Sequence, residues 1–349
     1  MVMPPKRLVF TGGGTRCIVF VEALIVLEDA GVLSDVQEYW GTSAGALVAT
    51  LLALSKSAKV LKECMYGTDF VKFRDIDVNN LLSMNKTWGL DNGLSLMKEV
   101  ERILDTIHPN SKALCMCDIP NVTMIIANVS NHTLIQCSAE NYPSLPVIDA
   151  IRATMSLPIF FRPYIHKESG HIWVDGAIGA NFAWMLLPSE ESRSESLGFT
   201  FDHGHVSSPT TISEYLLSMI HFREPKTIHE LKAKYMANIL WFPPLPFPSW
   251  FMRLTESDLS MLQTIGAEVA RRWLESNSNS AQPSCLPCPP ETNESSHPCE
   301  DHHNPSQHDP LHHTEQTSGT QKSSDHERPQ DSSRPQLHVK QRTGRRWSW

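Results

Sequence analysis

The sequence lacks any apolar run of about 18 residues, so it offers no helix long enough to span a bilayer. The nearest approach, Ile18–Leu27, contains Glu22 and is followed by Glu28, and its period is that of a core helix. A basic pair, Lys6-Arg7, stands near the start, but the apolar stretch after it stops at Gly12, too short for a signal peptide. The eight cysteines show no framework spacing. That argues against a disulfide scaffold and for reduced thiols in a cytoplasmic chain. Excess positive charge is missing too: 30 Lys and Arg face 38 Asp and Glu, a net charge of −8, which excludes a broad nucleic-acid surface. No internal repeat is present.

The 349 residues divide by composition near Ser276. Residues 277–349 are Ser, Pro, His, Gln, Asp and Arg with almost no Val, Ile or Phe. Such a segment buries too little apolar surface to offset its ordering entropy and is expected to be a disordered tail. Residues 1–276 are enough for one sizeable α/β domain. Within the tail, Cys285, Cys288, Cys299, His302 and His303 have ligand chemistry for zinc. Their Pro-rich flanks supply no scaffold, so neither a metal nor a cofactor is expected. The basic stretch Lys340–Trp347, with Trp349 beyond it, reads as a solvated end or as a segment that brushes an anionic membrane.

What is present is a strand–helix alternation. Strands are expected at Leu8–Phe10, Val36–Trp40, Val122–Asn128, Leu134–Ser138, Ile172–Val174 and Ser196–Phe201. Helices are expected at Cys17–Ala30, Ala44–Leu54, Lys59–Tyr66, Leu94–Ile107, Val147–Ala153, Ile212–Phe222 and Glu256–Glu275. This order implies a mostly parallel sheet with helices on both faces. The proline-rich Trp241–Phe251 cannot be helix or interior strand. Its aromatics either pack on the body or stand exposed, as would suit a lipid–water interface.

Three short motifs carry chemistry. Gly41-Thr42-Ser43-Ala44-Gly45 joins an expected strand to an expected helix, the context of a nucleophile elbow with Ser43 at the tip. The bland alternative is a tight turn in which Ser43 merely caps the helix. Gly12-Gly13-Gly14-Thr15-Arg16 also lies between strand and helix. Bare glycine amides in such a loop can cradle an anion, here the oxyanion of an acyl transfer. A dinucleotide fingerprint is excluded because Cys17 occupies the last glycine position. A phosphate loop would need Gly-Lys-Ser/Thr, which is missing. Finally, Asp175-Gly176-Ala177 ends a strand and points into the cleft of an open sheet. There Asp175 could accept the Ser43 proton, orient a histidine that does, or simply make an Asx turn.

Together these motifs resemble the patatin-like phospholipase family. GGGTR at 12–16 is similar to its oxyanion loop, GTSAG at 41–45 to its elbow and DGA at 175–177 to its aspartate motif. Ala153–Phe161 is similar to the segment that precedes the aspartate, and Asn181 fits the D-G-G/A-x-x-x-N pattern. Departures are Cys17 where glycine is usual and Ala183 where proline is common. The resemblance covers about residues 7–185; residues 186–276 carry no recognisable motif.

It implies a three-layer α/β/α fold and a lipid acyl hydrolase with a Ser43–Asp175 dyad. Gly12, Gly13, Gly14 and Ala44 would form the oxyanion hole, supported by Thr15, Arg16, Gly41, Gly45, Gly176, Ala177 and Asn181. Arg16 would orient the loop or a phosphate headgroup. A phospholipid or acylglycerol would be the substrate, met at a membrane or lipid-droplet surface. Other readings remain at this stage. One is an α/β-hydrolase with a Ser43–Asp175–His triad completed by His203 or His205, although only one strand precedes the elbow's own. The others are an acyltransferase and a non-catalytic lipid-binding scaffold.

Overall fold

The computed structural model describes residues 4–73, 75, 78–202, 215, 218–219, 224–247 and 253–279, all within one unit, Met1–Leu286. Its strands are β1 (Arg7–Phe10), β2 (Glu38–Thr42), β3 (Gly89–Asp91), β4 (Val122–Asn128), β5 (Thr133–Cys137), β6 (Ile159–Phe161), β7 (Tyr164–Ile165), β8 (Ile172–Asp175), β9 (Ser196–Phe201) and β10 (Ile239–Phe242). The helices are α1 (Val19–Asp29), α2 (Ala44–Ser55), α3 (Ala58–Tyr66), α4 (Val78–Thr87), α5 (Leu94–Ile107), α6 (Val147–Thr154), α7 (Ala177–Ala180), α8 (Glu190–Ser194), α9 (Glu224–Tyr235) and α10 (Glu256–Asn279).

The main sheet has the order β10-β9-β1-β2-β4-β8-β7, with β5 also paired to β4. From β10 to β4 the strands are parallel. β5, β8 and β7 join antiparallel. The parallel strands β1 and β9 are buried along their whole length, as expected where both faces of a sheet are covered. Their side chains alternate between two cores. Leu8, Phe10, Tyr39, Met124 and Ile126 meet α1, α2, α5 and α6 on one face. Val9, Trp40, Ile125 and Ile239 meet Trp184, Leu187, Leu231 and Tyr235 on the other. The result is the expected three-layer α/β/α fold. Phe20 of α1 bridges the layers, lying 5.3 Å from Phe201 and 4.9 Å from Phe242 between ring centroids.

Several boundaries differ from expectation. The first helix starts at Val19, because a 3-10 turn, Gly14–Ile18, takes up the end of the glycine loop. The strand before the elbow runs two residues further, through Thr42. Sequence reading missed β10, which ends just before Pro243-Pro244; its last two residues, Trp241 and Phe242, read as part of the proline-rich loop. In the described part of that loop, Phe242 and Phe247 are buried in the core and the prolines face solvent, so its apolar rings pack on the body.

The last helix continues three residues past 276, to Asn279. The tail from 280, the zinc-type residues within it, most of Ile212–Phe222, and both His203 and His205 lie outside the described residues. Among the described residues no helix is long and apolar enough to cross a membrane.

Candidate active site

Strand register brings the two key residues together. Thr42, the last residue of β2, pairs with Ile125 of β4. Asp175, the last residue of β8, pairs with the next β4 residue, Ile126. β5 occupies the opposite side of β4 over Met124–Asn128, so β2 and β8 share one edge. They run in opposite senses, and their C-terminal ends point at each other. Ser43 and Asp175 therefore converge, and Ser43 Oγ donates to Asp175 Oδ2 at 2.6 Å. No imidazole intervenes in this contact.

Ser43 sits at φ 53° and ψ −128°, a left-handed conformation that is costly for any residue but glycine. Its surroundings hold it there. The Ser43 N–H donates to Thr154 Oγ1 at 2.9 Å, and the Thr154 hydroxyl donates to the Ile125 carbonyl at 2.6 Å. Helix α2 then begins with Gly45 pressed on the end of β1, where a Cβ would meet the backbone oxygens of Thr11 and Phe10. Gly45 thus allows the close approach that places the α2 N-terminus, with its partial positive charge, behind Ser43.

Asp175 is 1% exposed. Its Oδ1 accepts the Ala177 N–H at 2.9 Å, and its own N–H donates to the Ser156 carbonyl at 3.0 Å. Thr154 and Ser156 therefore form a shelf that fixes Ser43 and Asp175 at once. Arg152, one turn earlier and 6% exposed, clamps this shelf. It donates to Ser156 Oγ, to the Arg162 carbonyl at 2.7 Å and to the Asn92 carbonyl at 3.3 Å. Burial lowers its pKa to about 10 against the opposing pull of Asp91 and Asp149, so it stays cationic at neutral pH.

The glycine loop lies against the serine. A Cβ on Gly12 would come within 3.1 Å of Ser43 Cβ. Asn181 ties this loop to the aspartate motif. Its carbonyl accepts from the Gly12 N–H at 3.1 Å and from Thr11 Oγ1 at 3.2 Å, and its Nδ2 donates to the Gly12 carbonyl at 3.3 Å. One expectation is thereby corrected: the Gly12 amide is spent on Asn181 and is not turned toward a substrate. Gly13 and Gly14 open the 3-10 turn, and Ala44 opens α2. Amides at such ends have no partner within the turn or helix.

Thr15 is buried beneath the loop. Arg16 folds back on its own loop, with Nε donating to the Gly13 carbonyl at 3.4 Å and the guanidinium 4.9 Å from the Phe201 ring centre. Cys17, in the glycine position, is fully buried with Sγ directed at the Thr11 carbonyl. Burial pushes its thiol up to about 12, so it offers no competing thiolate. Gly41 and Gly176 pack against backbone, and Ala177 starts α7. Among the described residues no group of three His, Cys, Asp or Glu could hold a metal.

Sequence reading missed Thr154, Ser156 and Arg152. All three lie in or next to the Ala153–Phe161 segment, whose resemblance to the family was the available signal. Thr154→Val tests the shelf. It keeps the volume but leaves the Ser43 N–H and Ile125 carbonyl unpaired, at about 1–3 kcal/mol each. Tm is expected to fall by about 5 °C or more, and kcat on a short-chain ester at least tenfold. Wild-type Tm and kcat in the purified variant would remove Thr154 from this role.

Fold and site together define a three-layer α/β/α protein with a serine elbow, a glycine loop and a strand-end aspartate. The Patatin-like phospholipase family model matches residues 8–187. The chain belongs to this family, whose members are hydrolases acting on lipids. It is 26% identical over 259 residues to the uncharacterized protein YqhO of Bacillus subtilis (strain 168), covering 67% of this chain and 86% of that protein. Against the uncharacterized protein R571 of Acanthamoeba polyphaga mimivirus it is 22% identical over 243 residues, covering 66% and 80%. The crystal structure of VipD from Legionella pneumophila has the same fold, with a TM-score of 0.53 and 16% identity, covering 78% of this chain and 67% of that one.

Proposed function

We infer that the protein is a serine lipid acyl hydrolase working through a Ser43–Asp175 dyad and an acyl-enzyme. The observation that carries this reading is the direct 2.6 Å hydrogen bond from Ser43 Oγ to Asp175 Oδ2. Ser43 Oγ attacks the ester carbonyl carbon as its proton passes to Asp175 Oδ2. The carbonyl oxygen becomes an oxyanion, held by the Gly13, Gly14 and Ala44 amides. Each such donor contributes about 10²–10³ in rate. The intermediate collapses, the bond to the leaving alcohol breaks, and that alcohol takes the proton from Asp175. Water then attacks the acyl-enzyme and gives a proton to Asp175. Collapse releases the fatty acid and returns the proton to Ser43. An alcohol in place of water would make the same site an acyltransferase. Phospholipids and acylglycerols are the substrate classes that fit the family.

The test is covalent trapping of the folded protein with a fluorophosphonate, followed by peptide mapping. Labelling is expected on the peptide that carries Ser43. An unlabelled folded protein would instead favour a non-catalytic scaffold, and a label on another serine would move the nucleophile.

A further inference from the structure

Three large exposed apolar side chains fall within one short stretch of sequence. Leu82 of α4 is 76% exposed, Trp88 57% and Leu94, the first residue of α5, 61%. Lys86 and Lys98 are also exposed here. Between Leu82 and Lys98 the only acidic residue is Asp91, and it is 1% exposed. Its carboxylate is taken up by the Gly93 and Asp75 N–H groups. The chain as a whole carries a net charge of −8, so this basic and apolar strip runs against the average.

The strip is joined to the dyad's supports. β3 pairs with β6, Gly89 to Ile159 and Asp91 to Phe161. Arg152 donates to the carbonyls of Asn92 and Arg162, one beyond each strand of that pair. Behind Trp88 an apolar groove of about 340 Å³ runs past Phe161 and Pro158 to Val174. Val174 is the residue before Asp175. Pro158 is two residues from Ser156, whose carbonyl accepts the Asp175 N–H.

We propose that Leu82, Trp88 and Leu94, with Lys86 and Lys98, form the surface on which this protein docks to an anionic lipid surface. The proposal rests on the lipid-hydrolase reading of the neighbouring site. Three features fix the occupant. Tryptophan beside aliphatic side chains suits the boundary between headgroups and acyl chains. The exposed Lys86 and Lys98, on either side of the buried Asp91, match anionic headgroups, about fivefold in binding each. The groove behind Trp88 gives an acyl chain an apolar lining next to this strip.

The experiment is sedimentation of the full chain with vesicles of phosphatidylcholine, with and without about three parts in ten of phosphatidylserine. Hydrolysis of soluble p-nitrophenyl butyrate is measured in parallel. Leu82→Ser/Leu94→Ser is expected to lower partition onto the anionic vesicles at least tenfold. Lys86→Glu/Lys98→Glu is expected to lower it about 25-fold or more and to change binding to neutral vesicles little. Both variants are expected to keep wild-type butyrate hydrolysis, which also reports that they fold. Wild-type binding by either variant overturns the proposal and transfers docking to another surface, the basic Lys340–Arg346 segment being the next candidate. Parallel loss of butyrate hydrolysis overturns it as well, since the residues would then serve the site or the fold. Butyrate cleavage by a wild-type protein that binds no vesicle rejects docking and leaves the dyad reading standing. Vesicle binding without ester cleavage does the reverse.

Discussion

Ser43→Ala is expected to lower kcat on a short-chain ester by at least about 10⁴-fold, because in the proposed mechanism the acyl-enzyme forms on Ser43. Cys17 cannot substitute for it, being fully buried with a thiol pushed up to about 12. The fold should survive. Alanine occupies φ 53° no worse than serine does, and the Ser43 N–H bond to Thr154 is made by backbone. The loss is one hydrogen bond to a buried carboxylate oxygen. Asp175 keeps the Ala177 N–H as a partner, so the cost is about 1–3 kcal/mol. Tm should fall by roughly 3–10 °C, with an unchanged circular-dichroism spectrum. Activity of the purified variant within tenfold of wild type would end the assignment of Ser43.

The motifs were legible because each is a local signal at a strand end. Ser43 stands between a strand and a buried apolar helix, the glycines between a strand and a turn, and Asp175 at the last position of β8. All depend on residues close in sequence. Their meeting does not. It requires β8 to run antiparallel on the same edge of β4 that β2 uses, a choice made by packing over long sequence separations.

The glycine loop shows a finer limit. Three successive glycines announce free amides, yet which of them turns inward depends on Asn181, far along the chain. Arg152 was hidden for a related reason. An arginine on a short helix reads as solvated until β3, β6 and the Ser156 turn close over it. The β3–β6 pair itself contradicts local preference. Trp88 and Ile159 both adopt positive φ, at 57° and 75°, and a β-branched residue seldom does so unless its surroundings impose it. At β10 the prolines that follow Phe242 drew Trp241 and Phe242 into the loop and hid the end of the strand.

Asp175→Asn separates a dyad from a triad. The amide has the shape of the carboxylate, and its oxygen can still accept the Ala177 N–H or the Ser43 hydroxyl. It cannot take a proton. If Asp175 is the base, kcat is expected to fall by about 10²–10⁴, with KM changed far less, since the lost interaction acts only as the proton moves. The rate of fluorophosphonate labelling should fall in parallel, because that reaction needs the same deprotonated serine. Stability should change by no more than about 1–3 kcal/mol, because removing a buried charge offsets the one acceptor that the amide lacks. The double change Ser43→Ala/Asp175→Asn should be no worse than Ser43→Ala alone, as members of one catalytic unit are not additive. His203→Ala/His205→Ala should leave kcat within a few-fold of wild type. The opposite pattern, with Asp175→Asn within tenfold of wild type and the histidine variant as inactive as Ser43→Ala, would make an imidazole the base. The direct Ser43–Asp175 contact would then belong to a resting arrangement that substrate must rebuild before attack.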